Sequence, residues 1–223
     1  MSGIYIHVPF CKQACHYCNY HFSTSLKNKE NVISSMIKEI EIKSKGYDDL
    51  IETIYFGGGT PSFFDTIEIN KIINSIFSKF KISSNPEITL EANPDDLSKV
   101  KLKELSNSFI NRLSIGVQSF NDKELKLMNR SHNSKEAKNC IDNALKYYEN
   151  ISIDLIFGMP NSNLKIWNSN LNYVTSLDLN HMSAYALTIE PKTVLESLVK
   201  KNIIKQLDED LVFEQHEFMC EKM

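Results

Sequence analysis

Six short apolar segments alternate with longer segments of helical periodicity along the 223 residues of this chain, and this alternation constrains the fold most strongly. The short segments are rich in β-branched and aromatic residues, which are typical of buried strands. Strands are predicted at residues 3–8, 53–56, 87–91, 112–117, 151–157 and 182–187. Because parallel neighbours need a long crossover connection, usually a helix, the alternation indicates parallel βα units.

Helices are predicted between these strands and after the last one. The helical period is clear in residues 66–80, where the apolar side chains recur on one face: Ile69, Ile72, Ile73, Ile76 and Phe80. A short helix is expected to start at Asn121, because Glu124 three residues later resembles a capping box. The other helices are predicted at residues 29–45, 98–107, 134–148 and 164–176, and from near Asp208 to Met223.

Glycine and proline stand just beyond the carboxyl ends of the predicted strands. These positions are Pro9, Gly57, Gly58, Gly59, Pro61, Pro94, Gly158, Pro160 and Pro191. In a βα barrel this is the face that carries functional sites, and a complete barrel of eight units typically needs about 250 residues. Six units in a single domain of residues 1–223 therefore predict a partial (β/α)6 barrel, a three-quarter TIM-type barrel. An open doubly wound sheet is the alternative fold.

Composition narrows the class of protein. Apolar residues make up 42% of the chain, which is enough for one sizeable core. The net charge of −3 gives no sign of the basic surface that binds nucleic acid, so no nucleic-acid partner is expected. No apolar run has the length of a membrane span, and the N-terminus lacks the pattern of a signal peptide. We therefore expect a cytoplasmic protein without a transmembrane segment, in a reducing compartment that suits free thiolates.

Three of the five cysteines, Cys11, Cys15 and Cys18, fall within eight residues, and residues 11–18 are called the cysteine loop. Thiolates in this C-x3-C-x2-C spacing can ligate three irons of an iron–sulfur cube and leave the fourth iron without a protein ligand. A structural zinc site is the main alternative, and it would need a fourth ligand from His7, His16 or His21. A redox dithiol and a set of ordinary buried thiols are the remaining alternatives.

Several polar or flexible residues at strand ends are candidates for ligand binding. In Gly57-Gly58-Gly59-Thr60-Pro61 the glycines let the backbone approach a ligand closely, whereas a plain flexible turn is the alternative. No Gly-Lys-Ser/Thr follows, so this run is not a Walker loop. Three polar side chains end apolar strands and need either a ligand or an ion pair as partner: Glu91, Gln118 and Asp154.

The remaining candidates have two interpretations each. The guanidinium of Arg130 suits a carboxylate ligand, but a solvated surface arginine is equally compatible with the sequence. Tyr5 precedes the cysteine loop and Tyr17 lies within it, as core residues or as rings against a ligand. Residues interpreted as structural are His132, His181, His216, Trp167 and Cys140.

These motifs together resemble a known family. His7-Val-Pro-Phe-Cys11-x3-Cys15-x-Tyr17-Cys18 is followed by Tyr55-Phe-Gly-Gly-Gly-Thr-Pro61, then by Leu90-Glu-Ala-Asn-Pro94, Ser114-Ile-Gly-Val-Gln-Ser-Phe120, Asn129-Arg130 and Ile153-Asp-Leu-Ile-Phe-Gly-Met-Pro160. The order and the residues are similar to the radical S-adenosylmethionine (SAM) superfamily. Within it, the chain resembles the group of oxygen-independent coproporphyrinogen III oxidases and HemW-type heme chaperones.

The resemblance implies a cofactor pair and a set of binding residues. Cys11, Cys15 and Cys18 would bind a [4Fe–4S] cluster, whose open iron would take the methionine end of S-adenosylmethionine. Gly58, Gly59 and Thr60 would hold the amino acid end of that ligand. The rest of its site would be lined by Tyr5, Tyr17, Glu91, Gln118, Arg130 and Asp154. The resemblance names no separate catalytic side chain, because the cofactors carry the chemistry.

Two departures favour the heme chaperone branch over the oxidase. The oxidase motif continues Cys-x-Cys, whereas Asn19 and Tyr20 follow Cys18 here, and only ten residues precede Cys11. We therefore expect heme as a further ligand and an unidentified electron donor as a partner, with a porphyrinogen as substrate in the oxidase alternative. The family continues into a C-terminal domain with a heme-linked segment, so these residues are expected to form the barrel domain alone.

Overall fold

The computed structural model describes residues 2–223, and its sheet contains six parallel strands in sequence order. Their bounds are β1 (Ser2–Val8), β2 (Ile51–Gly58), β3 (Ile82–Ala92), β4 (Arg112–Gln118), β5 (Ile151–Phe157) and β6 (His181–Ala186). Each strand pairs with the next, and β1 and β6 form the two edges of the described sheet. A doubly wound sheet reverses its strand order at a switch point, which this sheet does not. The prediction of a partial, unclosed barrel is confirmed.

Within residues 2–223, eight α-helices connect or follow these strands. Their bounds are α1 (Lys29–Lys43), α2 (Thr66–Lys79), α3 (Lys99–Ser106), α4 (Asp122–Leu127), α5 (Ser134–Ala144), α6 (Leu164–Thr175), α7 (Val194–Lys200) and α8 (Glu209–Lys222). Short 3₁₀ turns at Pro61–Phe63 and Pro94–Asp96 follow β2 and β3. Among residues 2–223, no helix combines the length and the apolar character needed to cross a membrane.

One predicted helix is too long, and one helix of the structure was not predicted. The predicted helix at 134–148 ends at Ala144, because the chain tightens into i→i+3 hydrogen bonds at Lys146 and Tyr147. The helix α7 was not predicted at all. It is only 7 residues long, and Leu195 is its one buried residue, so it shows no helical period.

The capping box predicted at Asn121 forms only in part. The side chain of Asn121 accepts hydrogen bonds from the amides of Lys123 and Glu124, as an N-cap should. The carboxylate of Glu124 does not return to the Asn121 amide and instead accepts hydrogen bonds from the hydroxyls of Ser119 and Ser162. This buried carboxylate therefore ties α4 to the loops after β4 and β5.

Alternation along each strand separates an apolar outer face from a polar inner face. Residues that face the helices are buried and apolar, for example Ile54 and Phe56 in β2 and Leu113 and Ile115 in β4. Residues in the opposite register face the inside of the open barrel and are largely polar: Tyr5, His7, Tyr55, Glu91, Ser114, Asp154 and Ser183. The barrel interior is therefore built for polar contacts, not for a packed apolar core.

Several residues interpreted as structural are confirmed as such. Trp167 and Cys140 are buried in the main apolar cluster, and the Trp167 indole donates a hydrogen bond to the carbonyl of Gln215 on α8. The ring of His132 is buried 3.0 Å from the carbonyl oxygen of Val117. Burial and the nearby charge of Arg130 lower the pKa of His132 to about 4, so it is neutral at pH 7.

Candidate functional site

A cavity of about 420 Å³ opens at the carboxyl ends of the strands. Its wall combines the cysteine loop, the glycine run at the end of β2, and residues of β3, β4 and β5. Asp154 lies in the middle of β5 and not at its end as predicted. The predicted site residues that line it are Cys11, Cys15, Tyr17, Cys18, Gly58, Gly59, Thr60, Glu91, Gln118, Arg130 and Asp154. Tyr5 does not line this cavity. It lies on the inner face of β1, where its hydroxyl is 3.2 Å from Nδ1 of His7.

The cysteine loop is tied to the glycine run by backbone hydrogen bonds. The amide of Gly59 donates to the carbonyl of Val8, and the amide of Thr60 donates to the carbonyl of Phe10, both at 2.7 Å. At the start of the loop, the amide of Cys11 donates to the carbonyl of Ser23 at 3.0 Å. The start of the cysteine loop is therefore fixed against the end of β2.

Gly57 and Gly58 are the last residues of β2, so the alternative of a plain flexible turn is wrong, and close contacts require glycine here. Gly58 has a φ of +110°, and a Cβ there would lie 2.6 Å from the ring of His7. A Cβ on Gly59 would lie 2.5 Å from the carbonyl oxygen of Phe10. Real Cβ atoms essentially never approach another heavy atom below 3.0 Å, so a side chain at Gly59 would displace the backbone of Phe10, and one at Gly58 would displace His7 and strain a positive φ. The glycines thus let the cysteine loop lie directly on β2.

The three thiols are partly buried around the same cavity. Burial raises the pKa of Cys11 and of Cys18, and the neighbouring thiols add to the rise. Within residues 2–223, no three His, Cys, Asp or Glu side chains converge closely enough to hold a single metal ion. A cube binds each thiolate at a different iron, so its ligands surround a space instead of meeting at a point. Three thiols around one cavity are the donor set that three corners of such a cluster require.

Two histidines considered as a fourth zinc ligand are engaged elsewhere. Nδ1 of His16 is 2.9 Å from the carbonyl oxygen of Leu127, and Nδ1 of His7 is near the hydroxyl of Tyr5. A closed zinc site needs four ligands around one ion. The geometry of these side chains gives the zinc hypothesis no support.

Arg130 is held inside the wall of the cavity by protein acceptors. Its NH2 group donates to the side-chain oxygen of Asn93 at 2.6 Å and to the carbonyl of Gly116 at 2.7 Å. Its NH1 group donates to Sγ of Cys15 at 3.3 Å and contacts the hydroxyl of Tyr17 at 3.4 Å. Its Nε is buried and has no hydrogen-bond partner among residues 2–223. The solvated alternative for Arg130 is therefore wrong, and one N–H remains for an acceptor outside the described residues.

Glu91 on β3 and Asp154 on β5 both lie on the inner side of the sheet. Glu91 accepts hydrogen bonds from the hydroxyl of Tyr55 at 2.8 Å and from the amide of Gly58 at 3.2 Å. Asp154 accepts from the hydroxyl of Ser114 at 3.2 Å. In the described part of the chain neither carboxylate forms an ion pair within 4.0 Å. The ion-pair alternative is therefore wrong for both, and burial raises the pKa of each carboxyl.

Gln118 has an unusual backbone conformation at the end of β4. Its φ is +69°, a left-handed value that a residue with a side chain rarely adopts. The pairing of β4 with β5 is irregular between Gly116 and Gln118, and a Cβ on Gly116 would lie 2.8 Å from Nε2 of Gln118. Such local strain persists where the surrounding structure enforces it, often at binding sites. Here it directs the Gln118 amide into the cavity.

Sequence reasoning missed three residues that organise the site. Asn93 connects Arg130 to the hydroxyl of Thr60, to which its amide donates at 3.3 Å. Tyr55 and Ser114 each orient one of the two carboxylates. Asn93 stands before Pro94 at a strand end and was thus detectable, but Tyr55 and Ser114 differ from ordinary strand residues only through their partners.

Asp154→Asn is expected to stabilise the ligand-free protein. Because burial raises the folded-state pKa of Asp154, the native state binds this proton more tightly than the unfolded chain does. The free energy of unfolding contributed by this group therefore falls as the pH rises from about 3.9 through the raised pKa. The variant should exceed the wild type by about 1 kcal/mol at pH 7, and the difference should shrink towards pH 4.

Urea unfolding at three pH values between 4 and 7 would measure this difference. Asp49→Asn is the matched control, because Asp49 is exposed and should leave the free energy of unfolding unchanged. If Asp154→Asn were less stable than the wild type at pH 7, the carboxylate would be a structural group and the interpretation of a ligand-binding residue would be contradicted.

Comparisons with known proteins show which sequences this chain resembles. The family model of the Radical SAM superfamily matches residues 5–171. The chain is 37% identical over 228 residues to the heme chaperone HemW of Bacillus subtilis (strain 168), covering 100% of this chain and 60% of that protein. It is 37% identical over 214 residues to HemW of Buchnera aphidicola subsp. Acyrthosiphon pisum (strain APS), covering 95% and 56%.

A solved structure shares the fold. The coproporphyrinogen III oxidase (HemN) of Escherichia coli, a radical SAM enzyme, superimposes with a TM-score of 0.81 at 22% sequence identity. The match covers 98% of this chain and 52% of that one. The chain thus spans less than two thirds of the length of the relatives that it matches.

Proposed function

We propose, from the premise that this chain belongs to the radical SAM superfamily, that Cys11, Cys15 and Cys18 hold its [4Fe–4S] cluster beside bound SAM. One observation carries the proposal: the three thiols and the strand-end polar groups line a single cavity of about 420 Å³. The three thiolates would leave one iron of the cube without a protein ligand, and the amino acid end of SAM would bind there.

The residues around the cavity suit the parts of SAM. The glycine run offers backbone at close range to the amino acid end, and Thr60 lies between Cys11 and Asn93. The unpaired Nε–H of Arg130 suits the carboxylate of the ligand. Glu91, Gln118 and Asp154 present acceptors and an amide to its amino and hydroxyl groups. Tyr17 lines the same space, whereas Tyr5 would reach the ligand only from the inner face of β1.

The cofactor pair, when bound, supplies one-electron chemistry at the sulfonium of SAM. The chain's own residues orient the two cofactors and shield them from solvent. Arg130 and Asn93 fix the cysteine loop against β3 and β4, and the cysteine loop covers the end of the barrel. This chemistry requires an electron donor as a further partner.

We further propose that the whole protein acts as a heme chaperone that transfers heme to respiratory proteins. The support is the 37% identity to heme chaperone HemW across the chain. Tyr20 stands where the oxidases have the last cysteine of a Cys-x-Cys pair, which also favours this branch. A reducing compartment such as the cytoplasm suits five cysteines that form no disulfide in residues 2–223.

Anaerobic reconstitution with iron and sulfide tests both levels of this proposal. We expect about four iron and four sulfide per chain, and an electron paramagnetic resonance signal of the reduced cluster that changes when SAM is added. Heme titration of the full-length protein should then give a stable complex.

Three results would revise the proposal. Zinc without iron or sulfide would overturn the cluster assignment. Conversion of coproporphyrinogen III to protoporphyrinogen IX would assign the oxidase activity instead. A full-length protein that assembles the cluster but forms no stable heme complex would contradict the chaperone function alone.

A further inference from the structure

The turn that ends α4 is hydrogen-bonded to the middle of the cysteine loop. Nε2 of Gln13 donates to both the carbonyl oxygen and the side-chain oxygen of Asn129, each at 2.9 Å. In return, Nδ2 of Asn129 donates to the carbonyl of Ala14 at 2.7 Å. These three bonds hold the two residues that lie between Lys12 and Cys15.

Two further bonds join the same turn to the next part of the loop. The amide of His16 donates to the carbonyl of Met128 at 3.1 Å, and the ring of His16 lies 2.9 Å from the carbonyl oxygen of Leu127. Arg130, the next residue of the turn, reaches Sγ of Cys15. The segment from Gln13 to His16 is therefore attached to one turn along its whole length.

The backbone of Asn129 is in the left-handed region, with a φ of +57°. This conformation closes α4, because the amide of Asn129 donates to the carbonyl of Lys126 and the amide of Arg130 donates to that of Leu125. Glycine and asparagine adopt it most readily. Glycine has no side chain for the loop, and aspartate has no N–H for Ala14. Asparagine alone among the common residues for this conformation satisfies both demands.

The turn that ends α4 is itself fixed to the sheet. Asn121 caps the start of α4, and Glu124 binds the hydroxyl of Ser119, which directly follows Gln118 at the end of β4. The helix also buries Leu125, and Met128 follows it into a second apolar cluster that lies apart from the main core. Any displacement of the turn would therefore move the cysteine loop relative to β4.

We propose that Asn129 is a positioning residue that holds the segment between Cys11 and Cys15 so that the three thiols keep surrounding one cavity. The inference rests on the proposed cluster site and adds a residue whose side chain bonds to Gln13 and Ala14 and to none of the three thiols. We therefore expect the reconstituted wild type to release iron more slowly than variants that lack the hydrogen bonds between Gln13 and Asn129.

The test compares Asn129→Gly and Asn129→Ala with Asn202→Ala. Glycine keeps the left-handed backbone and removes only the side-chain bonds, whereas alanine also strains the backbone. Asn202 is the matched control: its φ is +56°, it is exposed, and its side chain forms no hydrogen bond within residues 2–223. Gln13→Ala removes the opposite partner without changing any left-handed residue.

Two readouts separate positioning from a general loss of stability. Anaerobic iron release to a chelator should be about tenfold faster in Asn129→Gly and in Gln13→Ala, and unchanged in Asn202→Ala. Hydrogen exchange of the cluster-free chain should show faster exchange at the His16 amide in Asn129→Gly, with unchanged protection in the six strands.

The outcomes distinguish this inference from the proposed function. Iron release from Asn129→Gly at the wild-type rate, with an unchanged His16 amide, would overturn the inference while the cluster site stands. If the wild type assembled no cluster, the proposed function would fail, and His16 exchange in the cluster-free chain would still decide whether Asn129 holds the loop.

Discussion

Cys15→Ala is expected to abolish cluster assembly while leaving the fold intact. Cys15 is the middle thiol of the loop and accepts the hydrogen bond of the buried Arg130. Its loss leaves two thiolates, too few to hold the cube at three corners. Iron in the reconstituted protein should fall from about four per chain to near zero. Far-ultraviolet circular dichroism should be unchanged, because the side chain is only partly buried and belongs to no helix or strand.

Cys220→Ala provides the control for this experiment. Cys220 is exposed on α8 and does not line the cavity, so this variant should take up iron and sulfide like the wild type. Global unfolding of Cys15→Ala would contradict the assignment, because it would indicate a closed structural metal site on which the fold depends.

Arg130→Met is expected to produce the largest loss of stability together with loss of the cluster. The guanidinium is the donor to Asn93, to the carbonyl of Gly116 and to Cys15, so its removal leaves buried acceptors without a partner. The two oxygen acceptors among them, on Asn93 and Gly116, cost about 3 kcal/mol in the free energy of unfolding when they lose their donor. In a domain of this size the melting temperature should then fall by roughly 6–12 °C.

Lysine should not rescue this position. An ammonium group is a point donor and cannot bridge β3, β4 and the cysteine loop in the way that the planar fork of arginine does. Thermal unfolding and iron content of Arg130→Lys would measure the rescue. Arg112→Lys is the matched control, because Arg112 is the only other arginine of the chain. The guanidinium of Arg112 donates a hydrogen bond to the hydroxyl of Thr89 at 3.2 Å. A fully stable, iron-loaded Arg130→Lys would contradict the role given to the fork.

Most of the fold could be predicted from local patterns. The strands at 112–117 and 151–157 coincide with β4 and β5 almost to the residue, because uninterrupted apolar runs of that length suit buried parallel strands. The helix α7 was missed for the opposite reason. Its only buried side chain is Leu195, so its stability depends on packing against Leu187 and other members of the second apolar cluster.

The candidate site also has a part that local patterns predict and a part that they do not. The three cysteines, the glycine run and the polar strand ends stand out in the sequence, because a charged or amide side chain after an apolar strand is costly without a partner. The clamp formed by Gln13 and Asn129 does not stand out. Both residue types are common in loops, and their contact joins positions that are 116 residues apart.

The sequence by itself determined the parallel βα architecture and the residue types available for a cluster, since both follow from periodicity and from side-chain chemistry within a few neighbouring positions. The tertiary structure alone decided that Arg130 is buried, that Asn93 joins it to Thr60, and that Asn129 holds the cysteine loop. The physical reason is that hydrogen bonds are short and directional. Whether two distant groups meet within 3 Å depends on strand register and turn geometry across the whole sheet, which no local pattern specifies.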